Sequence, residues 1–155
     1  MVTRLRKASG VALFVLIATC LFALSAHAQS AQDHYNKAKD LLNQNMYEHS
    51  QPTYDQAMAE VTKAIEMDPT VAEFYTFRGN LYRNKSDIGN AIADYSKSIQ
   101  INPNNGEVYY WRAICYYAVK DYGKAWEDVH KAQSLGYTAF GGFIYDLQVA
   151  TGRNS

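Results

Sequence analysis

Side chains able to do chemistry are few in this chain, and they are scattered. The four histidines are His27, His34, His49 and His130, and none stands in the His-Glu-x-x-His spacing that puts two imidazoles on one helix face. His34 and His49, together with Glu48, could in principle share a metal, but scattered histidines are also common on helical surfaces. His130 lies beside Glu127 and Asp128, a grouping that suits a solvated face better than a metal site. Gly141-Gly142 lacks the Lys-Ser/Thr that a phosphate-binding loop requires. No Gly-x-Ser-x-Gly turn presents a nucleophile. The expectation is a protein with no catalytic, metal or cofactor site.

Aromatic residues are abundant instead, with 13 tyrosines. Glu107, Tyr110, Trp111, Ile114 and Tyr117 recur at three- and four-residue steps, so they share one face of a helix. That face is separate from the one formed by Tyr109, Ala113 and Tyr116. The equivalent face 34 residues earlier carries Glu73, Thr76, Phe77, Asn80, Arg83 and Asn84. Tyr, Trp and Arg on a surface are the residue types that anchor protein interfaces. The alternative is that Trp111 and Ile114 pack on the neighbouring repeat or on the loop near residue 50.

These faces are positioned by an internal repeat. Shifted by 34, Glu73, Tyr75, Arg78, Tyr82, Asp87, Gly89, Ala91, Asp94 and Lys97 fall on Glu107, Tyr109, Arg112, Tyr116, Asp121, Gly123, Ala125, Asp128 and Lys131. Shifted the other way, 91–99 falls on 57–65, and Pro103 falls on Pro69. Apolar residues at helical spacing predict first helices over 72–84 and 107–119, and second helices over about 88–101 and 122–135. Asp87 and Asp121 are placed to cap the second helices, and Asp68-Pro69 and Asn102-Pro103 to stop them. Small residues at 79, 91, 113 and 125 allow paired helices to cross closely, with Tyr82, Tyr95 and Tyr116 filling the wedge around them. Gln32–Asn45 should be the first helix of the first pair, followed by an enlarged loop or extended helix end over Asn43–Thr53. Phe140, Phe143, Ile144 and Leu147 suit a closing helix over 140–151.

Tyr75, Arg78, Gly79, Tyr82, Ala91, Tyr95 and Pro103 resemble the tetratricopeptide repeat family, as do Tyr109, Arg112, Ala113, Tyr116, Ala125 and Val129. The chain departs from the family pattern with Arg78 and Arg112 in place of leucine, and with Tyr137 in place of the last proline. Each arginine is tolerable if its stem packs and its head reaches water. The resemblance covers about 53–137 and implies an all-α fold: a short right-handed α-solenoid of about three helix-turn-helix repeats (about 32–69, 70–103 and 104–137) with a cap over 138–151. It also implies a concave face lined by first helices, where Glu73, Phe77, Asn80, Arg83, Glu107, Tyr110, Trp111, Ile114 and Tyr117 would form a groove for a protein or peptide. Family members that clamp a chaperone's C-terminal carboxylate use lysine, arginine and asparagine there. Asn80 fits that scheme, whereas Trp111 and Ile114 put apolar groups where polar ones are needed.

The first 28 residues read as a secretory signal peptide. Arg4, Arg6 and Lys7 precede an apolar run over 11–24, which closes on Ala26-His27-Ala28. Cleavage is expected after Ala28, leaving a 29–155 domain in the periplasm or outside the cell; a retained anchor and lipidation at Cys20 are the alternatives. The remainder carries 12 basic and 15 acidic residues, with no basic face for nucleic acid and no polybasic patch for lipid. Cys115 is then alone and suits burial better than a disulfide. Asn84-Lys85-Ser86 is a glycosylation sequon, relevant only in a eukaryotic secretory path. The composite expectation is a non-catalytic, exported interaction module. A structural subunit of an envelope complex, acting by self-association, is the alternative, and a metal enzyme around His34 and His49 a weaker third.

Overall fold

The computed structural model describes residues 2–44, 51–138 and 141–152. Every described element is an α-helix: α1 (Val2–Gln44), α2 (Gln51–Met67), α3 (Ala72–Asn84), α4 (Ile88–Ile101), α5 (Gly106–Ala118), α6 (Tyr122–Ser134) and α7 (Gly141–Thr151). They pair in chain order, α1 with α2, α3 with α4, and α5 with α6, while α7 closes the far end against α6. Three helical pairs and a cap are therefore present, with α3 to α6 within one residue of their expected bounds. Phe140 lies outside the described residues; Leu147 of α7 is fully buried between Phe143 and Ile144 of its own helix and the α5–α6 pair.

Local chemistry sets the boundaries. The Asp87 carboxylate accepts from the Asn90 backbone N–H at 3.3 Å, and Asp121 does the same for Lys124. Each satisfies a donor that the first helical turn leaves without a partner. Ser86 and Lys120, one repeat apart, take the left-handed conformation with φ of 62° and 64°, which turns the chain from first helix to second. At the other end Asn102 is extended, as the residue before Pro103 must be.

Helix crossings depend on missing side chains. Ala91, Ala113 and Ala125 are fully buried, and Gly79 lies under the ring of Tyr95. A Cβ on Gly79 would sit 2.9 Å from Tyr95 Cε1. Tyr95 is itself fully buried, and burying a side chain of that size stabilises the fold by about 2 kcal/mol. Cys115 is also fully buried, and burial pushes its thiol up to about 11, so it is a packing residue and not a nucleophile.

The two arginines correct the sequence reading. Each head is held by a carboxylate and is not left to water alone. Arg78 Nε and Nη2 donate to the two oxygens of Asp94 at 2.7 and 2.8 Å, and Arg112 grips Asp128 in the same way at 2.8 and 2.8 Å. The arginine side chains are only 18% and 17% exposed and their aspartates 8% and 6%. Tyr75 and Tyr82 flank the Arg78 guanidinium at 5.8 and 5.9 Å, and Tyr109 and Tyr116 flank Arg112 at 5.7 and 5.6 Å. A third contact reaches back one helix, from Arg112 Nη1 to Ser96 Oγ at 3.0 Å. Each arginine thus ties three consecutive helices. A planar fork buried against a carboxylate needs this geometry to offset desolvation.

The first pair differs most from expectation. The helix anticipated from Gln32 begins at Val2, so α1 is about 65 Å long. Described side chains from Ile17 to Gln29 are exposed, including Leu21 and Phe22, and Ala31 is the first buried one among those described. α1 ends at Gln44, within one residue of the expected end, and α2 starts at Gln51 as an extended helix end; residues 45–50, with Glu48 and His49, lie outside the described residues. Among the described residues, no helix is long and apolar enough to cross a membrane.

Two tests follow from this packing. Gly79→Ala gains helix propensity but overpacks Tyr95, and should lose about 1 kcal/mol in urea unfolding, whereas Gly89→Ala, with no atom near its added methyl, should gain about 0.5 kcal/mol. Asp94→Ala strands a buried guanidinium and should cost about 3 kcal/mol, most of it recovered when Arg78→Leu is added.

Candidate functional site

Three first helices, α1, α3 and α5, converge on one cleft of about 180 Å³. Its lining is Tyr35 from α1, Glu73, Thr76, Phe77 and Asn80 from α3, and Asn105 and Glu107 at the start of α5. Four of the nine groove residues named from the sequence, Glu73, Phe77, Asn80 and Glu107, meet here. Tyr35 and Asn105 were missed. Tyr35 reads from its spacing as a core residue, and Asn105 sits just outside the helical pattern; only the stacking of three repeats brings them to the same opening.

Rings form the apolar wall. Tyr35 packs edge-on against Phe77 at 5.4 Å and tilted against Phe74 at 4.9 Å. Lys39, one turn along α1, places its ammonium over the Tyr35 ring at 4.5 Å. Polar groups are fixed by bonds leading away from the opening. Asn80 Oδ1 accepts from the buried Tyr95 hydroxyl at 2.7 Å, which leaves its amide NH₂ to donate to a ligand. Thr76 shares a hydroxyl–hydroxyl bond of 2.7 Å with Ser98, and Asn105 caps α5 by accepting from Glu107 N–H at 3.1 Å. Glu73 and Glu107, one repeat apart, are both exposed. Burial, and then the charge of Glu73, hold the Tyr35 hydroxyl above its usual range, so it remains a donor near neutral pH.

The other five candidates are placed differently. Trp111 borders the opening: its indole donates to Glu107 Oε1 at 3.2 Å, and the Arg83 guanidinium lies over its ring at 4.1 Å. Arg83 Nε is buried without an acceptor among the described residues. Tyr110, expected on the open face, is 3% exposed and packs against Trp111, Tyr137 and Phe143. Ile114 is half-buried against the same cluster, and Tyr117 packs between Tyr122 and Phe143. The reason is the closing helix, which brings Phe143 across the end of α5, where an open solenoid would have left these residues bare.

One cluster fixes α1, and with it Tyr35. The buried carboxylate Glu60 on α2 takes His34 Nδ1 at 2.6 Å, Lys37 at 3.0 Å and Lys63 at 3.3 Å. Glu60 stands where Asp94 and Asp128 stand in the later repeats. The His34 bond, with help from the lysines, pulls its carboxyl down to about 2. Among the described residues no three His, Cys, Asp or Glu side chains gather as a metal site.

Residues 79–120 match a family model described as TPR repeat. Several solved structures share the architecture. The first TPR of Spaghetti (RPAP3), bound to the HSP90 peptide SRMEEVD, is 20% identical with a TM-score of 0.72, over 81% of this chain and 96% of that one. The first TPR domain of human RPAP3 is 19% identical (TM-score 0.69, 81% and 94% covered). The TPR2B domain of yeast Sti1, in a complex with pHsp70, is 22% identical (TM-score 0.65, 80% and 97% covered). The fold is a tetratricopeptide-type solenoid. No curated protein matches the chain by sequence. The opening between α1, α3 and α5 is lined by this chain's own choice of side chains.

Acid should loosen the hold of α2 on α1. Glu60 is held near 2 against an ordinary 4.5, so its stabilising bonds are complete above pH 4.5 and are lost as the pH falls toward 2. Glu60→Gln should be less stable than the parent at neutral pH, and its urea midpoint should change less across that acid window.

Proposed function

We propose that this chain is a non-catalytic protein-interaction module, exported from the cytoplasm, that holds a protein or peptide segment in the cleft between α1, α3 and α5. The observation that carries the reading is the cleft itself: rings of Tyr35 and Phe77 form an apolar wall, and polar groups of Thr76, Asn80 and Asn105 stand at its edge. An extended segment buried there would lay apolar side chains on the rings and offer a backbone carbonyl to the Asn80 amide. Trp111 adds a partly buried aromatic anchor at the border, a residue type worth about 2 kcal/mol or more where it is a hot spot. Solved structures with this fold hold chaperone peptides, which supports a segment of chain as the ligand class.

Export rests on the basic start, the apolar run and the Ala26-His27-Ala28 exit. Among the described side chains burial begins at Ala31, which supports a mature boundary after Ala28, because removal of 1–28 would leave the described core whole. The periplasm or the extracellular space is the compartment proposed. Assembly by self-association is the second reading, favoured by Tyr145 and Val149, each 65% exposed on the outer face of α7.

A cross-linking pull-down from the native compartment tests both. The bait is compared with a Glu107→Ala, Trp111→Ala variant whose thermal unfolding matches the parent. Loss of a captured protein by at least tenfold in the variant, with a bait mass beginning at Gln29, is the expected result. Equal capture would assign Trp111 to packing alone and favour self-association through α7. A bait that retains residues 1–28 would overturn the cleavage.

A further inference from the structure

The charge around the cleft points to a more specific ligand. Glu73 and Glu107 are the second residues of α3 and α5, so their carboxylates stand at the same end of the opening, one repeat apart. Neither carboxylate forms an ion pair among the described residues. The nearby cations are engaged by rings and not by these carboxylates: Arg83 lies over Trp111 at 4.1 Å, and Lys39 over Tyr35 at 4.5 Å. Each glutamate is followed four residues later by an aromatic, Phe77 or Trp111, which places a ring beside each carboxylate. The Lys39 ammonium over Tyr35, at 4.5 Å, shows that this ring already attracts a cation.

We infer that the cleft is a receptor for a lysine or arginine side chain of a bound segment, its charged head between Glu73 and Glu107 and its stem against Tyr35 and Phe77. This rests on the proposed binding role and names the ligand that the groove selects. Two carboxylates with ring faces are the set that suits a long cationic side chain, because the stem buries on the rings while the head stays charged. The same set repels acidic segments. The peptide SRMEEVD, held by a solenoid of the same fold, carries three carboxylate side chains. Here it would bring them toward Glu73 and Glu107, and like charges brought together disfavour binding.

Amide-resolved NMR titration of the full chain tests the inference with two capped heptapeptides. One carries two lysines among leucines, and its twin has glutamates in their place. The lysine probe should shift the amides of 73–80 and 105–107 and bind at least tenfold tighter than the twin. That advantage should shrink at least fivefold in a Glu73→Gln, Glu107→Gln variant, and also when salt is raised to about 0.5 M, where screening is strong. Trp111 and Asn80 are untouched in this variant, so a retained fold is read from the unchanged remainder of the spectrum. Equal binding of the two probes at these amides, or tighter binding of the glutamate twin, overturns the cationic ligand and leaves the binding groove standing. No shift at these amides with either probe overturns the pocket, and if the pull-down also shows no dependence on Glu107 and Trp111, the groove falls with it.

Discussion

A buried guanidinium held by a buried carboxylate is the contact on which this solenoid depends. Arg78 and Asp94 lie 16 residues apart on α3 and α4, and Arg112 and Asp128 repeat the arrangement on α5 and α6. The fork fixes the rotation of each helical pair, because two parallel hydrogen bonds allow only one relative orientation. Flanking tyrosines exclude water from the pair, and the bond to Thr62 or Ser96 on the preceding helix extends the grip to the previous repeat. Asp94 outweighs the cost of burial and holds the Arg78 charge more firmly than in water. Burial works hardest against Arg112, yet its bonds and proximity to Asp128 still leave it firmly charged. A leucine at those positions would pack equally well but would not specify the angle, which is the specificity role attributed to some buried ion pairs.

The first repeat meets the same requirement with different groups. Glu60 occupies the aspartate position, and the arginine is replaced by His34, Lys37 and Lys63 from two helices. Three smaller contacts serve where one fork served before, and they tie α1 to α2 along a helix that then projects well beyond the core. The open cleft depends on this fastening, since Tyr35 is its α1 wall. Stability of the first pair and geometry of the ligand face are thus linked through one carboxylate.

The cleft shows how a repeat becomes a site. The first helices α3 and α5 each contribute a glutamate and an aromatic at a four-residue step, α1 adds Tyr35, and stacking sets them side by side. At the cap end the same pattern is consumed by packing. Tyr110, Ile114 and Tyr117 occupy the face that Thr76, Asn80 and Arg83 occupy one repeat earlier, and Phe143 covers them. The solenoid therefore offers its groove across the first helices of its three repeats and closes it with the cap, α7.

Periodicity alone determined most of the architecture. The 34-residue identities, the caps at Asp87 and Asp121, the small residues at 79, 91, 113 and 125 and the stops before proline set α3 to α6 within one residue, because each acts within a few residues of chain. The recurrence of Arg and Asp 16 residues apart was also visible, but its meaning was not: periodicity cannot tell a solvated charge from a buried pair. Which aromatics stay open was decided by tertiary contact. Tyr110 and Trp111 are neighbours of similar character, yet one is covered by the cap and the other borders the cleft, because only the path of α7 determines where Phe143 lands. Tyr35 and Asn105 join the site for the same reason, since three helices separated by tens of residues meet only once the repeats have stacked.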